Sequence, residues 1–453
     1  ASTADFDISG WTDVSIPHTW NAKDADDEIP GYFRGKGWYR KVVTVEELIP
    51  EQRVYLSFEG ANQETNVFVN GTFVGNHKGG YSAFTFDVTD YVHAGRNLIA
   101  VSVDNSHHPD IAPLSADFTF FGGIYRDVYL VYTSPVQLST THYASSGVYL
   151  KASKITDLQA NISVKTFLSN ALKSNQSLIL ETEILDADGN RVALSQKKVN
   201  VKAEEKNVAF ESLMTITQPK RWDVDSPYIY KVYSRLKNKK EEVLDCVVNP
   251  LGIREYRFDA EKGFFLNGKY RKLIGTSRHQ DYKGMGNALR DEMHIRDVQL
   301  SKDMGSNFLR VAHYPQDPVV MQMCDKLGLL TSVEIPVVNA ITQSKAFMDN
   351  CVEQVTEMVY QNYNYPSVII WAYMNEVLLR PPFNPENRTE RADYMTFLHQ
   401  IASAVEAQIR SLDSERYTML PCHSTSQIYQ EAGIAELPML LGFNLYNGWY
   451  GGS

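Results

Sequence analysis

The chain has 453 residues, enough for two to four domains with buried cores. Its hydrophobic content of 43% and charged content of 22% are typical of a globular protein. The formal net charge of -10 argues against nucleic acid or an anionic membrane as a partner. No stretch approaches the roughly 18 to 20 apolar residues that span a bilayer.

The cysteines and the first residue give little information about the cellular compartment. Cys246, Cys324, Cys351 and Cys422 are widely spaced, without a C-x-x-C pair, so we expect buried thiols rather than disulfides or metal ligands. The chain opens at Ala1 without a Met or a leader-like segment, which fits a removed signal or a fragment. The compartment stays open, and an extracytoplasmic one (periplasmic or secreted) is favoured.

Residues 1–134 predict an all-β domain. Segments such as Arg53–Phe58 and Asn97–Val103 alternate apolar and polar residues with period two. Asn70-Gly71 lies between two apolar triplets and predicts a type I′ hairpin, which needs positive φ at both central positions. Close strand spacing without helical patterns predicts a jelly roll or related sandwich.

Residues 135–253 continue with strands but are richer in Lys and Glu, with a hairpin signal at Asp188-Gly189. We interpret this segment as a second, smaller sandwich of immunoglobulin-like size. Pro227 and Pro250 mark its end.

From residue 254 to 453 strands alternate with amphipathic helices, which predicts a parallel sheet, most simply a (β/α)₈ TIM barrel of which about six βα units are present. The expected strands are 272–274, 307–311, 329–333, 368–371, 418–420 and 440–443, and the expected helices are 291–304, 317–327, 344–362, 389–412 and 426–436.

The stretch Ser367–Glu376 is an apolar run that ends abruptly in an amide, Asn375, and a carboxylate, Glu376. The run predicts a strand buried on both faces, and residues just past such a strand point into the crevice where α/β folds place their chemistry. A Glu kept protonated in that position can act as a general acid. A helix-capping role is the alternative for Glu376.

Polar side chains follow all six predicted strands and would converge at one mouth of a barrel. They are Arg278, His279, His313, Glu334, Asn375, Glu376, His423 and Tyr446. There is no nucleophile elbow, no glycine-rich phosphate loop after a strand and no H-E-x-x-H motif. The set favours carboxylate-based cleavage of a glycosidic bond over a metal site built from the two histidines and a Glu.

Several motifs along the whole chain resemble glycoside hydrolase family two. Trp11–Trp20 and Gly122–Val128 are similar to its sugar-binding jelly roll, and Arg221–Tyr228 to the end of its immunoglobulin-like domain. Asn307–Pro315 and Asn364–Glu376 are similar to its two barrel signatures. This pair of signatures at this spacing is highly specific.

The resemblance implies a retaining exo-glycosidase in which Glu376 is the acid/base residue. Asn375 would hold the substrate 2-hydroxyl, His279 and His313 would line the sugar subsite, and Tyr446 would hydrogen-bond the nucleophile. Asp117 would reach the sugar from the first domain. The stretches Thr276–Asp281 and Gly284–Leu289 resemble the β-galactosidase branch more than the β-glucuronidase branch. Terminal β-galactosides are therefore the expected substrates, with β-glucuronidase or β-mannosidase activity as the alternatives.

The resemblance also has consequences for cofactors and completeness. Ile335-Pro336-Val-Val-Asn follows Glu334 where magnesium-dependent galactosidases carry Glu-x-His ligands, so we expect no metal and no cofactor. The family's nucleophile is a Glu after the seventh strand, which this chain lacks, and the chain alone is expected to be inactive. A non-catalytic glycan-binding fragment is the alternative of another class. We expect a glycoside or oligosaccharide as partner, and a homo-oligomer remains open.

Overall fold

The computed structural model describes residues 1–384, 386–423, 425 and 427–448. It consists of a jelly roll, an immunoglobulin-like sandwich and a TIM-barrel-type domain in chain order, which confirms the predicted fold class. Within the described part of the chain, every helix is too short or too polar to cross a membrane.

The jelly roll consists of two antiparallel sheets that enclose an apolar core around Phe58, Val67 and Val101. One sheet has the order β1-β6-β3-β4 and the other the order β5-β2-β7. A 3₁₀ turn, Thr89–Tyr91, precedes β6. The strands are β1 Lys36–Val45, β2 Arg53–Phe58, β3 Glu64–Val69, β4 Thr72–Lys78, β5 Phe84–Asp87, β6 Gly95–Asp104 and β7 Val128–Thr133. The predicted hairpin at Asn70-Gly71 is confirmed, with φ of 51° and 83° between β3 and β4.

The second sandwich packs a sheet in which β10 pairs with β8, β9 and β13 against a sheet of order β12-β11-β14-β15. All of its strand pairs are antiparallel. The strands are β8 Val136–Leu138, β9 Val148–Ser153, β10 Gln159–Asn170, β11 Gln176–Leu185, β12 Arg191–Val201, β13 Val208–Thr217, β14 Tyr230–Lys237 and β15 Val243–Leu251.

A three-stranded antiparallel sheet then leads into six parallel strands in sequential order, with a helix between each pair. The first sheet is β16 Tyr256–Asp259, β17 Gly263–Leu266 and β18 Lys269–Arg271. The parallel strands are β19 Gly275–Arg278, β20 Phe308–Val311, β21 Leu330–Glu334, β22 Val368–Ala372, β23 Tyr417–His423 and β24 Leu440–Asn444. The helices are α1 Asp291–Asp303, α2 Pro318–Leu327, α3 Lys345–Asn362, α4 Arg388–Leu412 and α5 Gln427–Glu431.

The prediction for the first parallel strand, 272–274, is wrong. The strand begins at Gly275, where an added Cβ would lie 1.6 Å from the carbonyl oxygen of Phe308 on the neighbouring strand. Its residues are largely polar, Gly-Thr-Ser-Arg, so no apolar run marks it in the sequence. Arg278 is consequently the last residue of β19 rather than a residue beyond it.

Arg126, in the Gly-Gly-Ile-Tyr-Arg motif, anchors the jelly roll to the barrel. Its buried guanidinium donates to the side chain of Gln280 at 3.1 Å and to the carbonyl of Pro315 at 2.8 Å. Because Gln280 follows β19 and Pro315 follows β20, this one side chain fixes both loops.

The immunoglobulin-like domain is joined to the barrel in a similar way. The indole of Trp222, fully buried, donates to the carbonyl of Asp325 at 2.9 Å. Gly328, which ends α2 in the left-handed region, lies against the carbonyl of Val224, and an added Cβ would come within 2.4 Å of that oxygen.

Candidate active site

The candidate site begins where β22 leaves the sheet. Asn375 and Glu376 are both 4% exposed. Their backbone N–H groups donate to neighbouring loops, that of Asn375 to Val337 and that of Glu376 to Pro421, each at 2.9 Å. Glu376 has φ of 53°, an uncommon value for a residue with a side chain, and such outliers cluster at functional sites. The surrounding loops hold this conformation.

Two side chains from the end of β24 bind the Glu376 carboxylate on its Oε1. The amide of Asn444 donates to it at 2.6 Å, and the hydroxyl of Tyr446 donates at 3.1 Å. The structure thus brings Tyr446 to the acid/base candidate; its predicted bond to a nucleophile stays a prediction.

Asn375 is oriented through its side-chain oxygen. Arg310 donates to Oδ1 at 2.8 Å and Asn444 donates to the same atom at 3.0 Å. Because both bonds use the oxygen, the amide cannot rotate by 180° without losing them. The Nδ2 group therefore keeps one direction, as a donor to a substrate hydroxyl requires.

Glu334 forms an ionic centre beneath these residues. Its carboxylate accepts from Arg310 at both oxygens and from His313 at 2.9 Å, and it is 1% exposed. Burial alone would raise the pKa of Glu334, but the charges and hydrogen bonds of Arg310 and His313 outweigh burial and lower it to about 2. Glu334 is therefore a permanent anion that positions its neighbours and cannot serve as a proton donor near neutral pH.

His279 and His313 lie side by side, with ring centroids 5.3 Å apart. The His279 ring also contacts the Tyr314 hydroxyl at 3.1 Å. Burial, reinforced by the charge of His313, lowers the pKa of His279 to about 4, which keeps its imidazole neutral at physiological pH. Phe118 of the jelly roll packs on both imidazole rings. Its ring centroid lies 5.2 Å from that of His279 and 6.2 Å from that of His313.

Asp117, the residue expected to reach the sugar, lies in the same jelly-roll loop as Phe118. Its side chain is 64% exposed and forms an ion pair at 3.2 Å with Arg380, in the loop after Glu376. The loop thus lies at the candidate site, where Phe118 makes the contact to the histidines, and the predicted contact of Asp117 with the sugar stays a prediction.

Two other polar residues at strand ends form their hydrogen bonds with residues other than Glu376. Arg278 binds Asp297 and His294 of α1 and the side chain of Gln316. The Nδ1 atom of His423 shares a hydrogen bond of 2.7 Å with the hydroxyl of Tyr429.

Three residues of the candidate site were not predicted from the sequence: Arg310, Asn444 and Phe118. Arg310 is a charged residue inside a predicted buried strand, a signal that usually marks a function or a buried partner. Asn444 ends the sixth strand, one residue beyond its predicted end. Phe118 had no signal of its own, because its role depends on how the jelly roll docks.

The arrangement can supply general acid/base catalysis from Glu376 and hydrogen-bond donors for a polyhydroxylated ligand. Within residues 1–384, 386–423, 425 and 427–448, no three His, Cys, Asp or Glu side chains are grouped so as to hold a metal ion.

Comparison with known families agrees with the geometry. Sequence profiles of the glycosyl hydrolases family 2 match in three parts: the sugar binding domain at residues 3–135, the central domain at 146–254 and the TIM barrel domain at 259–440. The chain belongs to glycosyl hydrolases family 2.

Three relatives illustrate the similarity. A β-glucuronidase of Bacteroides fragilis is 36% identical over 448 residues, covering 97% of this chain and 61% of that protein. A β-galactosidase of Thermoanaerobacter pseudethanolicus is 35% identical, covering 83% of this chain and 49% of that protein. The structure of Bacteroides uniformis β-glucuronidase 2, covalently bound to cyclophellitol-6-carboxylate aziridine, superposes with a TM-score of 0.94 at 38% identity, covering 100% of this chain and 54% of that chain. This chain thus spans about half to three fifths of the length of these relatives.

Proposed function

We propose that the protein carrying this chain is a retaining exo-glycosidase that removes terminal β-glucuronic acid residues, with Glu376 as its general acid/base. The superposition of the whole chain on the B. uniformis enzyme, whose bound inhibitor carries a carboxylate, carries the proposal. The B. fragilis β-glucuronidase, similar over nearly the whole chain, supports the same substrate. These comparisons favour the glucuronidase alternative over the β-galactosidase activity expected from the sequence motifs.

In the proposed mechanism Glu376 protonates the leaving oxygen of the glycosidic bond and then, as a carboxylate, activates the water that releases the sugar. Asn375, with its oxygen held by Arg310 and Asn444, offers its Nδ2 to the 2-hydroxyl. His279 and His313 form a wall of the sugar subsite. The second carboxylate required by a retaining mechanism is not assigned to any of the described residues.

The stretches Thr276–Asp281 and Gly284–Leu289, which favoured β-galactosidase, contain residues that contact the jelly roll and also contain His279 of the proposed sugar subsite. Gln280 binds Arg126, the Gly284 N–H donates to Asp26, and Gly286 lies against Phe121. These docking residues give little information about which sugar is bound. A β-galactosidase remains the second candidate, because several of the similar proteins carry that name.

A panel of 4-nitrophenyl and alkyl glycosides, assayed on the complete protein, tests the proposal. We expect the β-glucuronide to have the highest kcat/KM, and Glu376→Gln to lower kcat/KM for alkyl glucuronides by about 10²- to 10⁴-fold, with a smaller effect on 4-nitrophenyl glucuronide. Glu211→Gln, at an exposed position on β13, is the matched control. A preference for the galactoside would select the second candidate. Normal hydrolysis of alkyl glycosides by the Glu376→Gln variant would show that Glu376 is not the general acid. If the wild-type protein hydrolysed none of the glycosides, a glycan-binding role would be favoured instead.

A further inference from the structure

A cavity of about 310 Å³ lies between the immunoglobulin-like domain and the barrel, at the opposite end of the parallel sheet from Glu376. Its walls come from the end of β9, from the linker after β15 and from the segments that precede β22 and β23. Gly252 in this linker packs so closely on Pro366 that an added Cβ would lie 2.4 Å from the proline ring. The cavity is therefore bounded by fixed backbone.

The acidic side chains that line this cavity are already neutralised by cations. Glu415 pairs with Lys151 at 2.9 Å, and Asp413 pairs with Arg416 at 2.7 Å. The third acidic residue, Glu255, forms an ion pair at 2.8 Å with Arg221, which does not line the cavity.

Two lining cations, Arg254 and Lys154, have no carboxylate partner among the described residues. The cavity thus has an excess of positive charge in a chain whose formal net charge is -10.

Arg254 is partly buried and is the less exposed member of this pair. One terminal nitrogen donates to the carbonyl of Val368 at 2.7 Å, and the guanidinium lies over the ring of Tyr256. Its Nε is buried without a hydrogen-bond partner in the described part of the chain. Burial lowers the pKa of Arg254 to about 10, and the nearby charges of Asp325 and Asp413 offset this effect only in part. Buried charges in proteins are normally paired.

We propose that this cavity is a binding site for a small oxyanion, held by the Arg254 guanidinium and the Lys154 ammonium at its rim. Guanidinium groups bind phosphate and carboxylate through parallel N–H···O bonds. One terminal nitrogen of Arg254 binds Val368, and its other terminal nitrogen is the donor left for an anion in the cavity. The volume accommodates inorganic phosphate with water, or a free hexuronate bound through its carboxylate. The inference is independent of the proposed reaction, since the cavity and Glu376 lie at opposite ends of the sheet.

Calorimetric titration of the protein with sodium phosphate and with sodium glucuronate, at an ionic strength matched with sodium chloride, tests the site. We expect saturable binding of at least one of them, weakened about tenfold by Arg254→Lys and about threefold by Lys154→Gln, because each variant changes one charge-assisted contact. Lys198→Gln, on the exposed face of β12, is the matched control and should bind as the wild type does. Since Lys154 is exposed, its variant keeps the test valid if the Arg254 variant folds poorly.

The two probes distinguish the sources of the anion. Saturation by phosphate alone would indicate an inorganic or phosphorylated ligand, and saturation by glucuronate alone would indicate a sugar acid. Glucuronate binding that Lys154→Gln and Arg254→Lys leave unchanged would belong to the catalytic site and would overturn the proposal, as would heats no different from those of sodium chloride.

Discussion

The side-chain amide of Asn444 donates a hydrogen bond of 2.6 Å to the carboxylate of Glu376. The same amide nitrogen donates to Oδ1 of Asn375. The side-chain oxygen of Asn444 accepts a hydrogen bond from Arg310 at 3.0 Å. One residue at the end of β24 thereby orients both the acid/base candidate and the group proposed to bind the sugar.

Replacing Asn444 should therefore impair catalysis more than binding. We expect Asn444→Ala to lower kcat by about 10- to 100-fold with little change in KM, because the lost contacts fix groups that act at the transition state. Steady-state kinetics with an alkyl glucuronide measures both constants, and Asn200→Ala on β12 serves as the control. A rise in KM at constant kcat would show that Asn444 only binds the ground state.

Removing the charge of Glu334 should destabilise the barrel. Glu334→Gln removes the main counter-ion of the partly buried Arg310 guanidinium, at an expected cost of about 2–4 kcal/mol in the free energy of unfolding. Urea denaturation followed by circular dichroism measures the loss. The exposed pair Arg391–Glu431 provides the contrast, since Glu431→Gln should change stability by less than about 1 kcal/mol. Equal effects of the two substitutions would contradict the role given to Glu334.

The pH dependence of stability should follow two carboxyl groups, those of the partly buried Glu59 and the buried Asp325. Burial, followed by the charge of Asp317, raises the pKa of Glu59 to about 7, and burial raises the pKa of Asp325 from 3.8 to about 7. A raised pKa means that folding favours the protonated form. The contribution of these two protonated carboxyl groups to the free energy of unfolding is complete below pH 4 and is lost progressively as the pH rises to about 7.

Asp325→Asn tests this dependence with little change of shape. The N–H of Ser367 donates to Oδ1 of Asp325 at 2.9 Å, and an asparagine can keep that acceptor. We expect the variant to melt about 2–4 °C higher than the wild type at pH 8 and to show no gain at pH 4. Asp413→Asn is the opposite case: the charge of Arg416 outweighs burial and lowers the pKa of Asp413 to about 2, so its ionised form stabilises the fold at pH 8. A gain at pH 8 from both substitutions would refute the assignment.

Arg126 should control the mobility of the two loops that carry the histidines. Arg126→Lys cannot reproduce the bonds to both Gln280 and Pro315, because an ammonium lacks the planar fork of a guanidinium. We expect faster amide hydrogen exchange in residues 279–282 and 313–316, measured by mass spectrometry, with Arg191→Lys as an exposed control. Unchanged exchange in both loops would show that they are held by other contacts.

Much of the barrel follows from sequence patterns, because buried strands and amphipathic helices have clear apolar periods. The helices α1 to α4 begin and end within one residue of the predicted bounds, whereas α5 is shorter than predicted. The polar strand β19 was misplaced since it lacks an apolar run, and its neighbour β20 fixes its position.

The candidate site was predictable where a residue follows an apolar strand, as Glu376 does. It was not predictable where contacts join distant segments. Phe118 reaches His279 only because the jelly roll is docked by Arg126, and no local pattern encodes that docking. Asn444 directly follows the predicted strand 440–443 and so meets the same criterion as Glu376, but it was overlooked in favour of Tyr446.

The contacts of Trp222 with Asp325 and of Val224 with Gly328 limit how this protein could be recombined with its relatives. A chimera that joined this immunoglobulin-like sandwich to a foreign barrel with any larger residue in place of Gly328 would force a side chain into the Val224 carbonyl. Crossover points on either side of residues 222–328, which keep both partners from one parent, should give folded hybrids more often than crossovers inside that interval.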